Sequence, residues 1–143
     1  MSAMTLVQGT DGTPGDYLEV AETLAEYGSQ VREDLRQLWR RIALSVAVHN
    51  TEDHLCNHGF LRDGRAGWRL SPAFDLNPNP DVGAQRVTGI GGAYRREDEL
   101  TSMMSYADSF RLTPAEARRI HRDVLEGTRA MKGSCSQQRL ARP

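Results

Sequence analysis

The feature that most constrains this fold is a long apolar stripe between residues 30 and 48. Its members recur at steps of four, three, four and four, which is the spacing of one face of an α-helix, and they are Val31, Leu35, Leu38, Ile42 and Val46. The final turns, with the sequence ALSVAV, are apolar nearly all round, as is typical of a helix buried on every side. We therefore predict a helix over 30–48, roughly 28 Å long, whose carboxyl end lies deep in the core.

Other segments in the first part of the chain carry local structure signals. Asp16 is a favourable N-cap and Gly28 a favourable C-cap, so a helix is predicted over 16–27. Two apolar stretches within residues 58–71 flank the turn-forming pair Asp63-Gly64, and this pattern predicts a β-hairpin. Short strands are also predicted for residues 1–7, which end in MTLV, and for residues 87–90, and a loop for residues 9–16.

The remainder of the chain is predicted to contain two more helices. Three acids at residues 97–99 favour a helix start, because the helix dipole attracts negative charge there, and this helix is predicted to end near residue 110. The sequence TPAE at residues 113–116 is a capping box with proline at the first helical position, which predicts a helix over 114–131. Residues 133–143 show no periodicity and are predicted to be a disordered tail.

These elements predict an α+β fold that is mainly α, with one domain over residues 1–132. The length of 143 residues agrees with this, because single domains contain roughly 100–200 residues. No apolar run approaches the ~18 residues of a membrane span, and the first residues lack the pattern of a signal peptide. The two cysteines, Cys56 and Cys135, fit a reducing compartment. We therefore expect a cytoplasmic protein without a membrane partner.

The small net charge of −1 conceals a gradient along the chain. Residues 1–28 contain five acids and no Lys or Arg, whereas residues 111–143 contain eight bases and three acids. A basic segment of this kind either contacts a phosphate-bearing or protein partner or is the solvated face of a last helix. Since net charge bears on association rather than on fold, direct nucleic-acid binding is not predicted.

Most of the titratable residues with catalytic potential lie in HNTEDHLCNHGF, residues 49–60, directly after the buried helix end. One interpretation is a zinc site made of His49, His54, Cys56 and His58, but their spacing lacks the paired ligands of structural zinc sites. On that ground His54 and His58 are better interpreted as hydrogen-bonded structural histidines. A second interpretation is a Cys56 nucleophile beside a histidine, for which the sequence offers no activating arrangement.

A third interpretation is phosphoryl transfer. Kinase catalytic loops place a carboxylate and a Mg²⁺-binding Asn five residues apart, and Glu52 and Asn57 have this spacing. Kinases also need a separate Asp that holds Mg²⁺. Asp75 follows the predicted hairpin, where such a ligand is expected.

The segments NTEDHLCNHGFL and GWRLSPAFDLNPNP, within residues 50–80, resemble the carboxy-terminal lobe of the HipA-type serine/threonine kinases, the toxins of bacterial toxin–antitoxin pairs. In that family the two motifs are approximately NTDDHxxNHGF and GWRLSPAYDxxP. The similarity extends over nearly the whole chain, to about residue 132. It implies a helical, kinase-like carboxy-terminal lobe in which a short β-hairpin carries the catalytic and metal loops.

The resemblance also implies roles for individual residues. Asn57 and Asp75 match the family's Mg²⁺ ligands. Glu52 occupies the position of the catalytic aspartate and is one methylene longer, so Glu52 or the adjacent Asp53 is expected to act as the base. The side chain of Asp53 is expected to leave the loop in another direction.

Thr51 and His54 match loop positions that are interpreted as structural supports, with His54 holding the loop by hydrogen bonds. Cys56 stands where the family often has a basic residue.

The phosphate-binding part of a kinase is missing from this sequence. There is no glycine-rich phosphate loop, and the only Lys is Lys132. We therefore expect a carboxy-terminal lobe that is inactive without an amino-terminal nucleotide lobe. The resemblance implies Mg²⁺ and ATP as cofactors, an antitoxin partner with a helix-turn-helix, and a translation-related protein substrate. The alternative is a catalytically silent module that docks an antitoxin or another protein, and exposed apolar surface would also permit a homodimer.

Overall fold

The computed structural model describes residues 1–7 and 14–140. Within these residues the helices are α1 (Ala3–Leu6), α2 (Tyr17–Tyr27), α3 (Val31–Val48), α4 (Arg96–Ser105) and α5 (Pro114–Leu140). The strands are β1 (Gly15–Asp16), β2 (Phe60–Asp63), β3 (Gly67–Leu70) and β4 (Thr88–Gly89), and there are short 3-10 helices at Leu55–Asn57 and Ala107–Phe110. The fold is α+β and mainly α, as predicted. Of the helices described, none has the length and apolar character needed to cross a membrane.

Two small sheets hold the segments between the helices. β2 and β3 form the predicted hairpin, an antiparallel pair in which Phe60 lies opposite Leu70 and Asp63 opposite Gly67. β1 and β4 form a parallel pair with Gly15 opposite Thr88. The parallel pair brings the start of α2 next to the segment that follows the hairpin.

α3 lies at the centre of the hydrophobic core, as its apolar stripe predicts. Leu38 and Ile42 are fully buried, and burial of a side chain of this kind contributes about 1.5–3 kcal/mol. Trp39 is also fully buried; its Nε1 donates to the Ala117 carbonyl of α5 at 3.4 Å, and its ring packs edge to face on Phe110 with 5.2 Å between centroids. The fully buried apolar residues therefore lie in the middle turns of α3. Residues 46–48 at its carboxyl end are only partly buried, so the prediction that this end is buried on every side is wrong.

The start of α2 is fixed by one carboxylate with several partners. Asp16 and Glu19 form a capping box, in which Asp16 Oδ1 accepts from the Leu18 amide at 2.9 Å and Glu19 Oε2 accepts from the Asp16 amide at 3.1 Å. The amides of Gly91 and Gly92 also donate to Asp16, at 3.0 and 2.8 Å. Asp16 thus joins the helix start to the glycine turn after β4. Both α2 and α3 begin within one residue of their predicted starts.

The strand predicted for residues 1–7 is wrong, because Ala3–Leu6 within this segment form α1. Ser2 Oγ accepts from the Thr5 amide at 3.3 Å and caps the helix, and only Ser2 forms a bridge, with Gly59. The propensity of Thr, Leu and Val for strands depends on a neighbouring strand to pack and pair with. Residues 4–7 have no such neighbour in the structure described.

The later helices also differ from the prediction. The helix expected from 97 to about 110 is divided, since α4 ends at Ser105 and a 3-10 helix follows. α5 continues to Leu140, so the backbone of residues 133–140 is helical where a disordered tail was predicted. Gly133 lowers helix propensity by only about 1 kcal/mol, and the next proline is Pro143. Good helix formers follow it at Gln137, Gln138, Arg139 and Leu140, where the helix ends. Residues 141–143, and residues 9–13 of the loop predicted for 9–16, lie outside the described residues. The loop prediction is wrong at Gly15–Asp16, which pair with Thr88–Gly89 as β1.

Candidate active site

The site begins where α3 ends. His49 has a left-handed backbone (φ 57°) and ends the helix, with its amide donating to Val46 O at 3.3 Å. The Asn50 amide then donates to Ser45 O at 2.8 Å, and Ser45 Oγ donates to Asn50 O at 2.9 Å. These bonds turn the chain sharply away from the helix axis. They place residues 50–59, here called the catalytic loop, directly after the carboxyl end of α3.

Thr51 attaches the catalytic loop to the segment after the hairpin. Its side chain is fully buried, and Thr51 Oγ1 accepts a hydrogen bond of 2.7 Å from Asn79 Nδ2. The Thr51 carbonyl accepts from the Val87 amide at 2.9 Å, and the Asn79 amide donates to the His49 carbonyl at 2.9 Å. The position of Thr51 is that of a structural support.

Glu52 presents its carboxylate to solvent. The side chain is 64% exposed, and the His54 imidazole is its neighbour, with 3.6 Å between Glu52 Oε2 and His54 Nε2. The Glu52 carbonyl accepts from the His54 amide at 3.1 Å and from Asn57 Nδ2 at 3.5 Å. The backbone of Glu52 is therefore tied into the loop while its carboxylate is accessible to a substrate.

Asp53 points the other way, into the core. Its side chain is 4% exposed and lies 3.2 Å from His58 Nε2, while the Tyr17 hydroxyl donates to Asp53 Oδ2. Burial by itself raises the pKa of the Asp53 carboxyl, but the contacts with His58, Tyr17 and Arg86 more than offset this, and the pKa lies below its usual value. Burial and the Asp53 charge also raise the pKa of Tyr17, so its hydroxyl remains a donor. Asp53 is an ionised core residue without access to solvent.

The two residues assigned to Mg²⁺ have oxygen atoms available for a cation. Asn57 Nδ2 donates to the Glu52 carbonyl. Among the described residues, the hydrogen-bond donor to Asn57 Oδ1 is the weak donor Cys56 Sγ, at 3.5 Å. Asp75 is exposed and has a left-handed backbone (φ 58°), which is uncommon for a residue other than glycine. Asp75 Oδ1 accepts from Asn77 Nδ2 at 2.6 Å.

Residues 71–79, here called the metal segment, are attached to the catalytic loop at both ends. At one end the Ser71 amide donates to the Gly59 carbonyl at 2.8 Å. A Cβ atom at Gly59 would lie 2.8 Å from Ser71 Oγ and 3.5 Å from Phe74 Cε1, so Phe74, the neighbour of Asp75, lies against this glycine. At the other end is the hydrogen bond between Asn79 and Thr51. The structure thus brings the segment of Asp75 alongside the loop of Glu52 and Asn57.

His54 takes part in the hydrogen bonds of the loop through its backbone. Its amide donates to the Glu52 carbonyl at 3.1 Å, and its carbonyl accepts from the Asn57 amide at 2.9 Å. Its side chain is about half exposed and lies 3.6 Å from the Glu52 carboxylate. The imidazole that supports the loop from below belongs to His58, which is buried. Tyr17 completes this support, and from the sequence it could be recognised only as a core-facing residue of a helix.

The residues considered for zinc do not converge. His49 Nε2 lies 2.8 Å from the Asp81 carbonyl, His58 is buried on Asp53, and Cys56 is exposed. Within the part of the chain that the structure describes, no three His, Cys, Asp or Glu side chains gather as metal ligands would. Mg²⁺ has different needs, since one or two carboxylates with water and substrate phosphates suffice. The Asp75 carboxylate and the Asn57 amide oxygen fit that donor set.

A family model matches most of the chain, including the whole of this site. It is the model of the HipA-like C-terminal domain, and the match covers residues 1–131. A search of curated proteins gives no match.

Proposed function

Because the chain belongs to the family of HipA-like C-terminal domains, we propose that it is the catalytic lobe of a HipA-like protein serine/threonine kinase. The proposed reaction is the Mg²⁺-dependent transfer of the γ-phosphoryl group of ATP to a serine or threonine hydroxyl of a protein. The proposed biological setting is a toxin–antitoxin pair. The glycine-rich loop and the anchoring lysine would come from a nucleotide lobe outside residues 1–143, without which we expect no activity.

The observation that carries this proposal is the attachment of the metal segment to the catalytic loop. Glu52 and Asn57 have the five-residue spacing of a kinase catalytic loop. Asp75 follows the hairpin on a segment that is bonded to this loop through Gly59 at one end and Thr51 at the other. A base, an amide oxygen and a carboxylate are thereby carried on two adjoining pieces of backbone, as phosphoryl transfer requires.

Each of the three residues has a distinct role in the proposed mechanism. The exposed Glu52 carboxylate orients the substrate hydroxyl and accepts its proton as the hydroxyl oxygen bonds to the γ-phosphorus and the bond to ADP breaks. Asn57 Oδ1 and the Asp75 carboxylate would hold Mg²⁺, which when bound neutralises charge on the phosphates. Asp53 is not assigned proton transfer, because it is buried and ionised.

A second candidate function is a binding module without catalysis. It is favoured by the exposed apolar side chains near the metal segment, namely Phe74 (48% exposed), Leu76 (37%) and Val82 (69%). Exposed apolar side chains close together are typical of protein interfaces. The occupant would be an antitoxin or another protein, and Glu52 at the catalytic position agrees with lost activity.

A thermal melt of the purified chain tests the enzyme proposal. We expect Mg²⁺ with a non-hydrolysable ATP analogue, at ten times the dissociation constant, to add roughly 1.4 kcal/mol, which is a shift of a few degrees. The shift should require both components and should disappear in Asp75→Ala. Asp123→Ala, which removes an exposed carboxylate on α5, is the matched control and should keep the shift. If neither Mg²⁺ nor the ATP analogue changes the melting temperature, the result favours the binding module.

A further inference from the structure

The two loop residues with proposed chemical roles are each followed directly by one member of a buried pair. Asp53 comes after Glu52, and His58 comes after Asn57. Asp53 Oδ1 and His58 Nε2 are 3.2 Å apart, and both side chains are 4% exposed. Asp53 and His58 therefore meet on the buried side of the loop, each directly next to Glu52 or Asn57 in the chain.

Tyr17 holds this pair from α2. It is fully buried; its hydroxyl donates to Asp53 Oδ2, and its ring packs edge to face on the His58 imidazole with 5.4 Å between centroids. The other Asp53 oxygen faces His58, so both carboxylate oxygens have a partner in the core. The orientation of the pair is thus fixed by a helix that lies outside the loop.

The backbone of the pair is anchored as well. The Asp53 carbonyl accepts from Thr88 Oγ1 at 2.5 Å, and the His58 carbonyl accepts from the Ala3 amide at 2.7 Å. Between these two anchors the loop relies on short-range bonds, such as that from the Asn57 amide to the His54 carbonyl at 2.9 Å. The separation between the two sides of the loop is consequently set by the anchored backbone of Asp53 and of His58.

Packing alone does not explain such a pair. A buried carboxylate with polar partners is often no more stabilising than apolar side chains of similar volume, because the buried polar groups lose their hydration. The contact between Asp53 and His58 does, however, fix the orientation of the backbone at these two positions relative to each other. Groups that carry out chemistry must be held within about half an ångström of their working positions, and Glu52 and Asn57 are the immediate neighbours of this pair.

We propose that Asp53, His58 and Tyr17 form a brace that sets the separation and orientation of Glu52 and Asn57. The three are positioning residues, and the inference rests on the proposed function for its consequence. Supporting partners behind metal ligands typically change metal affinity about 10- to 100-fold when they are removed. The brace should therefore be detectable in metal affinity even though none of its members contacts the cation.

The first test measures Mn²⁺ affinity of the full chain by electron paramagnetic resonance, with a non-hydrolysable ATP analogue present. We expect Asp53→Asn to weaken Mn²⁺ binding about 10-fold or more. The matched control is Asp34→Asn, which removes another buried carboxylate, one bonded to Arg69 and to the Leu70 amide. The control should change the affinity less than about twofold. Equal weakening in the two variants would overturn the brace, since general destabilisation would then explain both.

The second test uses hydrogen exchange and needs no ligand. Asp53→Asn should accelerate exchange of the amides of residues 54–57 more than exchange of the α3 amides, whereas Asp34→Asn should not. Uniform acceleration would count against the brace. Should Asp53→Asn fail to fold, Tyr17→Phe, which keeps the ring and removes only the donor, replaces it in both tests. If the unmodified chain binds no Mn²⁺, the proposed metal roles of Asn57 and Asp75 fail for this lobe alone, and hydrogen exchange decides the brace.

Discussion

Asn79 Nδ2 donates a 2.7 Å hydrogen bond to Thr51 Oγ1, and this bond joins the metal segment to the catalytic loop. Thr51 is fully buried, so its hydroxyl has no water to replace Asn79. The bond connects residues on opposite sides of the hairpin. It is therefore a direct point at which the placement of Asp75 relative to Glu52 can be tested.

Replacing Thr51 with valine keeps the shape of the side chain and removes the acceptor. We expect Thr51→Val to lower the free energy of unfolding by about 1 kcal/mol, the usual value of one hydrogen bond, and to lower the melting temperature by about 3 °C. Urea unfolding of the variant and of the unmodified protein measures this difference in the free energy of unfolding. Thr101→Val, at an exposed position on α4, is the control and should be nearly neutral. Equal effects at the two positions would mean that the bond is unimportant.

Gly59 provides a second test of the same attachment. A Cβ atom there would lie 2.8 Å from Ser71 Oγ and close to Phe74, so Gly59→Ala must displace the metal segment. We expect a loss of about 1–3 kcal/mol in denaturant unfolding, as for other overpacked sites. At Gly83 an added Cβ would meet only Asp81 Oδ1, at 3.4 Å. Gly83→Ala should therefore be much milder, and a similar loss at both glycines would contradict the close packing.

Glu52 is best tested in the chain complemented by its nucleotide lobe. We expect Glu52→Gln to lower the phosphorylation rate about 100-fold or more, because the proton acceptor is lost. Glu52→Asp should raise the rate, because it restores the side-chain length of the family motif. Glu97→Gln, at an exposed carboxylate of α4, is the control. If the aspartate variant is no faster, the longer side chain is not a defect; if the glutamine variant keeps its rate, Glu52 is not the base.

The capping box of α5 predicts a pH dependence of stability. Hydrogen bonds from the Thr113 amide and hydroxyl, together with Arg36, hold the pKa of Glu116 below its usual value. A carboxyl with a lowered pKa stabilises the fold above its unfolded-state pKa, about 4.3, and this contribution is lost as the pH falls through the folded-state pKa. Glu116→Gln keeps a capping side chain without the charge. Its deficit in unfolding free energy should be present at pH 6 and shrink toward pH 3, and a deficit that does not change with pH would refute this account.

The parts of the fold that the sequence predicted are those with short-range signals. The apolar stripe of α3, the caps of α2 and the Asp63-Gly64 turn each lie within one element, and the structure contains all three elements. The parallel pairing of Gly15 with Thr88 was not predicted, since two-residue strands far apart in the chain leave no periodic pattern. The α1 segment was misassigned because local propensity favoured a strand that tertiary packing does not support.

In the candidate site, too, the residues with short-range sequence signals were predicted and the long-range contacts were not. Glu52, Asn57 and Asp75 were selected by spacing and by resemblance, both of which can be seen in the sequence alone. The partnership of Tyr17 with Asp53 joins residues 36 positions apart and depends on how α2 packs, so the sequence offered no means of finding it. His54 and His58 are four residues apart in the same motif, and burial alone distinguishes the supporting histidine from the exposed one.

The hydrogen bonds that Asp16 accepts also affect local unfolding of the molecule. Its carboxylate caps α2 and at the same time accepts from the amides of Gly91 and Gly92. Fraying of the helix start and opening of the glycine turn are therefore not independent events, since either one releases the same acceptor. The two regions should behave as a single cooperative unit of local unfolding, although they are distant in the chain.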